Sequence, residues 1–146
     1  MTTGEELAAK FQTNSPSAWD EVEYTQMTHL DASNANIAHT LDGILRYAKL
    51  HGLRVRLFNV GAGTGATDAA FINTVVTNIG KDNLPEIALT SIEQTPHFYD
   101  DLCKYLESPG GAQLLGLDVV RAVAGDKNIS NFGAVTIVYG DANLAL

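Results

Sequence analysis

The chain is short of cysteine and of positive charge, and both shortages exclude function classes. A single cysteine, Cys103, rules out an intramolecular disulfide and suits a reducing compartment. It falls on an apolar helical position beside Leu102 and Leu106, with no base suggested nearby, so it reads as core rather than as a catalytic thiol. Nine Lys plus Arg face 17 Asp plus Glu, a formal charge of −8. Such a surface repels phosphate backbones and anionic lipid, so no nucleic-acid surface is expected. No apolar run approaches the ~20 residues of a membrane span. The first residues, Met1-Thr2-Thr3-Gly4-Glu5-Glu6, lack the basic and apolar regions of a secretory signal. The expected location is cytoplasmic. His29, His39, His51 and His97 show no metal-ligand spacing, and no metal site is expected. There is no G-x-x-x-x-G-K-[ST] phosphate loop, internal repeat or low-complexity segment.

What is present is an ordinary globular composition, 45% hydrophobic, in 146 residues, enough for one real core. The first third reads as all-helical. Residues 4–12 suggest a short helix, and residues 18–28 a second, with Trp19, Val22, Tyr24 and Met27 available for burial or for a helical lid. Asp31-Ala32-Ser33-Asn34 offers N-caps for a third, carrying Ile37, Leu41, Ile44, Leu45 and Ala48 and stopping at Gly52. The pattern then changes to strand 54–60, helix 66–79, strand 87–92, helix 96–107, helix 112–123 and strand 134–139. Thr95 and Pro96 supply the cap and first position of the helix at 96. Strands alternating with helices predict an α/β fold with a parallel sheet, whose strand C-terminal ends share one edge. Ligands bind at that edge in such sheets.

Three clusters fall at predicted strand ends. Gly61-Ala62-Gly63-Thr64-Gly65 interrupts an apolar run and leads into a helix, as a tight strand-to-helix turn with room for a ligand does. The helix brings free N–H groups and a positive dipole end to that turn, which favours a carboxylate or phosphate. Glu93 closes the second strand, where a carboxylate can accept bonds from both hydroxyls of a ribose or can cap the next helix. Asp141, between Gly140 and Ala142, can accept from an exocyclic amine such as that of adenine, or can serve as turn chemistry.

With these three clusters in order, the chain resembles the class I S-adenosylmethionine-dependent methyltransferases. Phe58-Asn59-Val60-Gly61-Ala62-Gly63-Thr64-Gly65 looks like the family's first motif, Ser91-Ile92-Glu93 before Thr95-Pro96 like its second, and Val138-Tyr139-Gly140-Asp141-Ala142 like its adenine-contacting strand end. The resemblance implies a Rossmann-like parallel sheet, S-adenosylmethionine as cofactor, and cofactor contacts from Asn59, Gly61, Ala62, Gly63, Thr64, Gly65, Glu93, Gln94, Asp141 and Ala142. Members usually carry Asp or Glu where this chain has Asn59. The implied division is a helical lead or lid over residues 1–52 and a partial cofactor-binding domain over 53–146.

Set against the family's seven-stranded sheet, the chain is expected to stop after the third strand, carrying mainly the cofactor-binding half. The methyl acceptor and any catalytic base are unassigned. The first strand is expected at a sheet edge covered by the N-terminal helices, by a missing C-terminal segment or by a second copy of the chain. Two alternatives stand beside the methyl donor. Gly61 to Ala66 also fits the dinucleotide pattern G-x-G-x-x-[GA], although Glu93 lies well past the ~20 residues at which that fingerprint places its acid. A non-catalytic nucleotide-binding or interaction domain would keep the same fold.

Overall fold

The structure, a computed structural model, describes residues 16–127 and 129–145. The helix expected over residues 4–12, and the side chains of Trp19, Val22, Tyr24, Met27 and His29, lie outside the described residues. Helix α1 spans Pro16–His51, followed by β1 (Val55–Val60), α2 (Ala66–Asn78), β2 (Ile87–Glu93), α3 (Pro96–Leu106), β3 (Asp118–Val123), β4 (Ala134–Tyr139) and a short α4 (Ala142–Ala145). The chain is therefore an α/β protein with a four-stranded sheet in the order β1-β2-β4-β3, and every adjacent pair is parallel.

Two expectations fail. The break at 31–34 is absent, and α1 runs through it. No glycine or proline lies between Ser17 and Asp42 to stop a helix. Asn34 is not a cap; its side chain instead accepts a hydrogen bond from Thr67 Oγ1 of α2 at 2.6 Å. The end at Gly52 is as expected: Gly52 turns left-handed at φ 66°, and Leu53 N–H donates back to Ala48 O at 2.9 Å.

The second failure concerns residues 112–123. Ala112, Leu115, Val119 and Val123 fit helical spacing, which is why the stretch reads as a helix. The structure instead has one 3₁₀ turn at Ala112–Leu115, a left-handed Gly116, and strand β3. Val119, Val120 and Val123 are β-branched and gain a partner in β4 that local spacing does not reveal. The sheet thus has four strands, not three. The 134–139 strand is the fourth in chain order, inserted between β2 and β3.

β2 is buried at all seven positions, as a central strand covered on both faces must be. Val55 and Leu57 of β1, Ile87 and Leu89 of β2, and Val135 and Ile137 of β4 share one core with Leu45 of α1, Phe71, Ile72 and Val75 of α2, and Leu102 and Leu106 of α3. Each fully buried side chain of this size contributes about 1.5–3 kcal/mol. On the opposite face Arg54 and Arg56 meet Ser130 and Phe132. There Arg56 Nη1 donates to Ser130 O and Oγ at 2.8 and 3.1 Å, and the guanidinium groups of Arg54 and Arg56 each lie 4.4 Å from the Phe132 ring centroid. The short α4 packs on β2. β1 is at the sheet edge, as expected. Among the described residues no strand pairs with its outer side; α1 packs on α2, and Phe58 and Val60 on one face of β1 are exposed.

Candidate functional site

Parallel winding brings the three sequence clusters to one edge, and Glu93 joins them. The Gly63 N–H donates to Glu93 Oε1 at 2.7 Å, the Thr95 N–H donates to Oε2 at 2.8 Å, and the Gly140 N–H donates to the Glu93 backbone oxygen at 3.1 Å. One residue therefore contacts the glycine turn, the start of α3 and the loop after β4. Its side chain is buried. Each carboxylate oxygen keeps lone-pair capacity beyond its one amide, so accepting hydroxyls from a ribose is compatible with these bonds. Thr95, the residue before α3, makes no side-chain cap; the Glu93 carboxylate takes its amide instead.

The glycine turn is fixed against β2. Gly61 N–H and Ala62 N–H both donate to Ile92 O, at 2.9 and 3.0 Å. Gly65 has φ 100°, and a Cβ there would lie 2.9 Å from Tyr105 Cδ2 and 3.2 Å from Leu102 Cδ1. Only a residue without a side chain lets α3 pack this closely. Ala62 and Gly63 are buried, whereas Gly61 and Thr64 are exposed. Gln94 is exposed beside Glu93.

Gly140 has a packing explanation of its own. Its φ is 137°, and a Cβ would fall 2.6 Å from that of Ala124, so the loops after β3 and β4 meet there. Asp141 is exposed and accepts from Asn143 N–H at 2.9 Å, the turn chemistry foreseen as its alternative role. Ala142 begins α4.

A second, buried network lies beneath the first turn of α2. Asn59 and Ser91 are register partners on β1 and β2. Asn59 Nδ2 donates to Asp68 Oδ2 at 2.9 Å, and Ser91 Oγ donates to Asp68 Oδ1 at 2.7 Å. Asp68 is 1% exposed. Burial pushes its carboxyl above the usual range, against the opposing pull of the Ser91 and Asn59 bonds. Burial, followed by the charge of Asp68, likewise raises the Tyr105 phenol. Sequence reading missed Asp68. The available signal was an acid in the first turn after the glycines, the place where a helix favours negative charge.

A pocket of about 310 Å³ opens between the first turn of α3 and the ends of β3 and β4, lined by Pro96, Tyr99, Asp100, Val123 and Tyr139. The Tyr99 and Tyr139 rings are 5.2 Å apart and tilted, and Tyr99 Oη donates to Ile137 O at 3.3 Å. Local sequence does not suggest this pocket, because Val123 fits helical spacing and its place at the end of β3 comes from pairing with β4. Cys103 is buried, and burial raises its thiol, which suits the core role read from sequence. Among the described residues no group of three or more His, Cys, Asp or Glu could hold a metal ion, and no helix is long and apolar enough to cross a membrane.

The chain matches no protein-family model, no curated protein and no solved structure at a significant level.

Proposed function

We propose that this chain binds S-adenosylmethionine at the strand C-terminal edge and serves as the cofactor-binding part of a methyltransferase acting on an unassigned acceptor. One observation carries the reading: Glu93 links the glycine turn, the start of α3 and the Gly140-Asp141 loop through three hydrogen bonds. A nucleoside with an amino-acid tail needs just such adjacent parts. The turn at Gly61 to Gly65 would take the tail, Glu93 the ribose, and the Tyr139-to-Ala142 region the base. The sulfonium of the donor is already activated, so the protein's task in methyl transfer is alignment and exclusion of water, and no general base is nominated.

A second reading is favoured by the same carboxylate. Glu93 is buried and holds two backbone amides, as a strut does in a binding or interaction domain without chemistry. Calorimetric titration with S-adenosylmethionine, S-adenosylhomocysteine and NAD separates the readings. Binding of the first two without NAD is expected. Heat with NAD alone would select the dinucleotide alternative, and no heat with any of the three would leave the non-catalytic domain.

A further inference from the structure

Asp68 is a buried carboxylate without a cation. Among the described residues its partners are three neutral donors, the Asn59 amide, the Ser91 hydroxyl and its own backbone N–H, and none of the ion pairs includes it. Carboxylates are rarely kept inside a protein unless a positive charge or several donors compensate them, because desolvation costs several kcal/mol. The position is also specific. Asp68 is in the first turn of α2, three residues beyond Gly65, directly behind the glycine turn. It lies too deep to touch a ligand, but Asn59 is only partly buried.

The hydrogen bond between them fixes the Asn59 amide. An ionised carboxylate only accepts, so the amide nitrogen must face Asp68 and the amide oxygen must point away. That oxygen has no partner among the described residues. An amide polarised by a carboxylate behind it is a stronger acceptor than an isolated one.

We infer that Asp68 is a positioning residue for a cationic group: it orients and polarises Asn59, whose amide oxygen receives the ammonium of the ligand's amino-acid tail. The charge absent from position 59 is thus supplied from α2 at second hand. The inference rests on the S-adenosylmethionine reading and adds to it a determinant of which part of the ligand is recognised.

The test compares two probes on the full chain, S-adenosylmethionine and 5′-methylthioadenosine, which keeps the nucleoside but has no ammonium. Asp68→Asn is expected to weaken S-adenosylmethionine by about tenfold or more, the scale of one charge-assisted hydrogen bond. Binding of 5′-methylthioadenosine should be unchanged, and the variant should melt at or above the wild-type temperature because a buried charge held by neutral donors alone is gone. Asn59→Ala should show the same selective loss, and combining it with Asp68→Asn should add nothing. Equal weakening of both probes, unchanged S-adenosylmethionine affinity, or additive losses would each overturn the positioning role while leaving the cofactor reading intact. A wild-type chain that binds neither probe would overturn the cofactor reading and this inference with it.

Discussion

Glu93 Oε1 accepts a hydrogen bond from the Gly63 N–H at 2.7 Å, joining residues 30 positions apart at the strand C-terminal edge. The second oxygen of the same carboxylate holds Thr95 N–H, so one side chain closes both the glycine turn and the start of α3.

Glu93→Gln tests that closure. The amide keeps the shape but puts an N–H₂ against one of two backbone donors and removes the charge from both bonds. Hydrogen bonds to charged groups contribute about 1.5–3 kcal/mol each, and a buried donor left unmet adds to the loss. The expected destabilisation is about 2–4 kcal/mol in urea unfolding, together with weaker S-adenosylmethionine binding. A variant as stable as wild type would show that the carboxylate is not a strut.

Gly65→Ala should fail for two separable reasons. The left-handed φ of 100° disfavours any Cβ, and the added carbon meets the Tyr105 ring. Together these cost about 1–3 kcal/mol. Tyr105→Ala in the Gly65→Ala background should recover the steric part but not the backbone part. Thermal melts of the singles and the double give the coupling, and strict additivity would contradict the contact.

Thr90 and Thr136 face each other across β2 and β4, both fully buried. Neither hydroxyl has a hydrogen-bond partner among the described residues. Thr136→Val replaces an unsatisfied polar group with an apolar one of the same shape. It should therefore stabilise the fold by about 1 kcal/mol, and Thr90→Val by a similar amount. Chemical denaturation would measure this, and a loss on either substitution would reveal a bond made by that hydroxyl.

Acid stability should carry two opposite signatures. Arg121 donates to both Glu107 oxygens, at 2.6 and 2.9 Å, and holds that carboxyl below its usual value. A depressed carboxyl contributes stability that is present above its unfolded value, near 4.3, and lost as pH falls through the folded one. Arg121→Met should therefore matter most at neutral pH and converge with wild type in acid, with a small difference because the pair is exposed. Asp68 has the reverse sign. Its folded value is raised, so its ionisation works against the fold as pH rises from the unfolded value through the folded one. Asp68→Asn should remove that decline. Melting curves between about pH 3 and pH 8 on the two variants read both effects.

Local chemistry made several elements legible in the sequence. Thr95-Pro96 opens α3, Gly52 ends α1, the glycines stop β1 at Val60, and the apolar run at 134–139 is a strand with the expected bounds. These signals act over a few residues, through φ preferences, missing N–H groups and side-chain bulk. The wrong assignments share a cause. Residues 112–123 fit a helix by spacing and become a turn and a strand because β4 offers them a ladder. Residues 31–34 look like caps, yet Asn34 finds Thr67 across the helix pair instead.

The candidate site divides the same way. The sequence by itself determined which residues reach the strand C-terminal edge, because parallel winding sends Gly61 to Gly65, Glu93 and Gly140-Asp141 to strand C-terminal ends. Only the tertiary structure decided what they do to one another. Glu93 sits close enough to Gly63 to bind its amide, Tyr105 close enough to Gly65 to exclude a side chain, and Asp68 deep enough that Asn59 and Ser91 must satisfy it. Those outcomes depend on distances between segments far apart in the chain, and no local propensity encodes a distance.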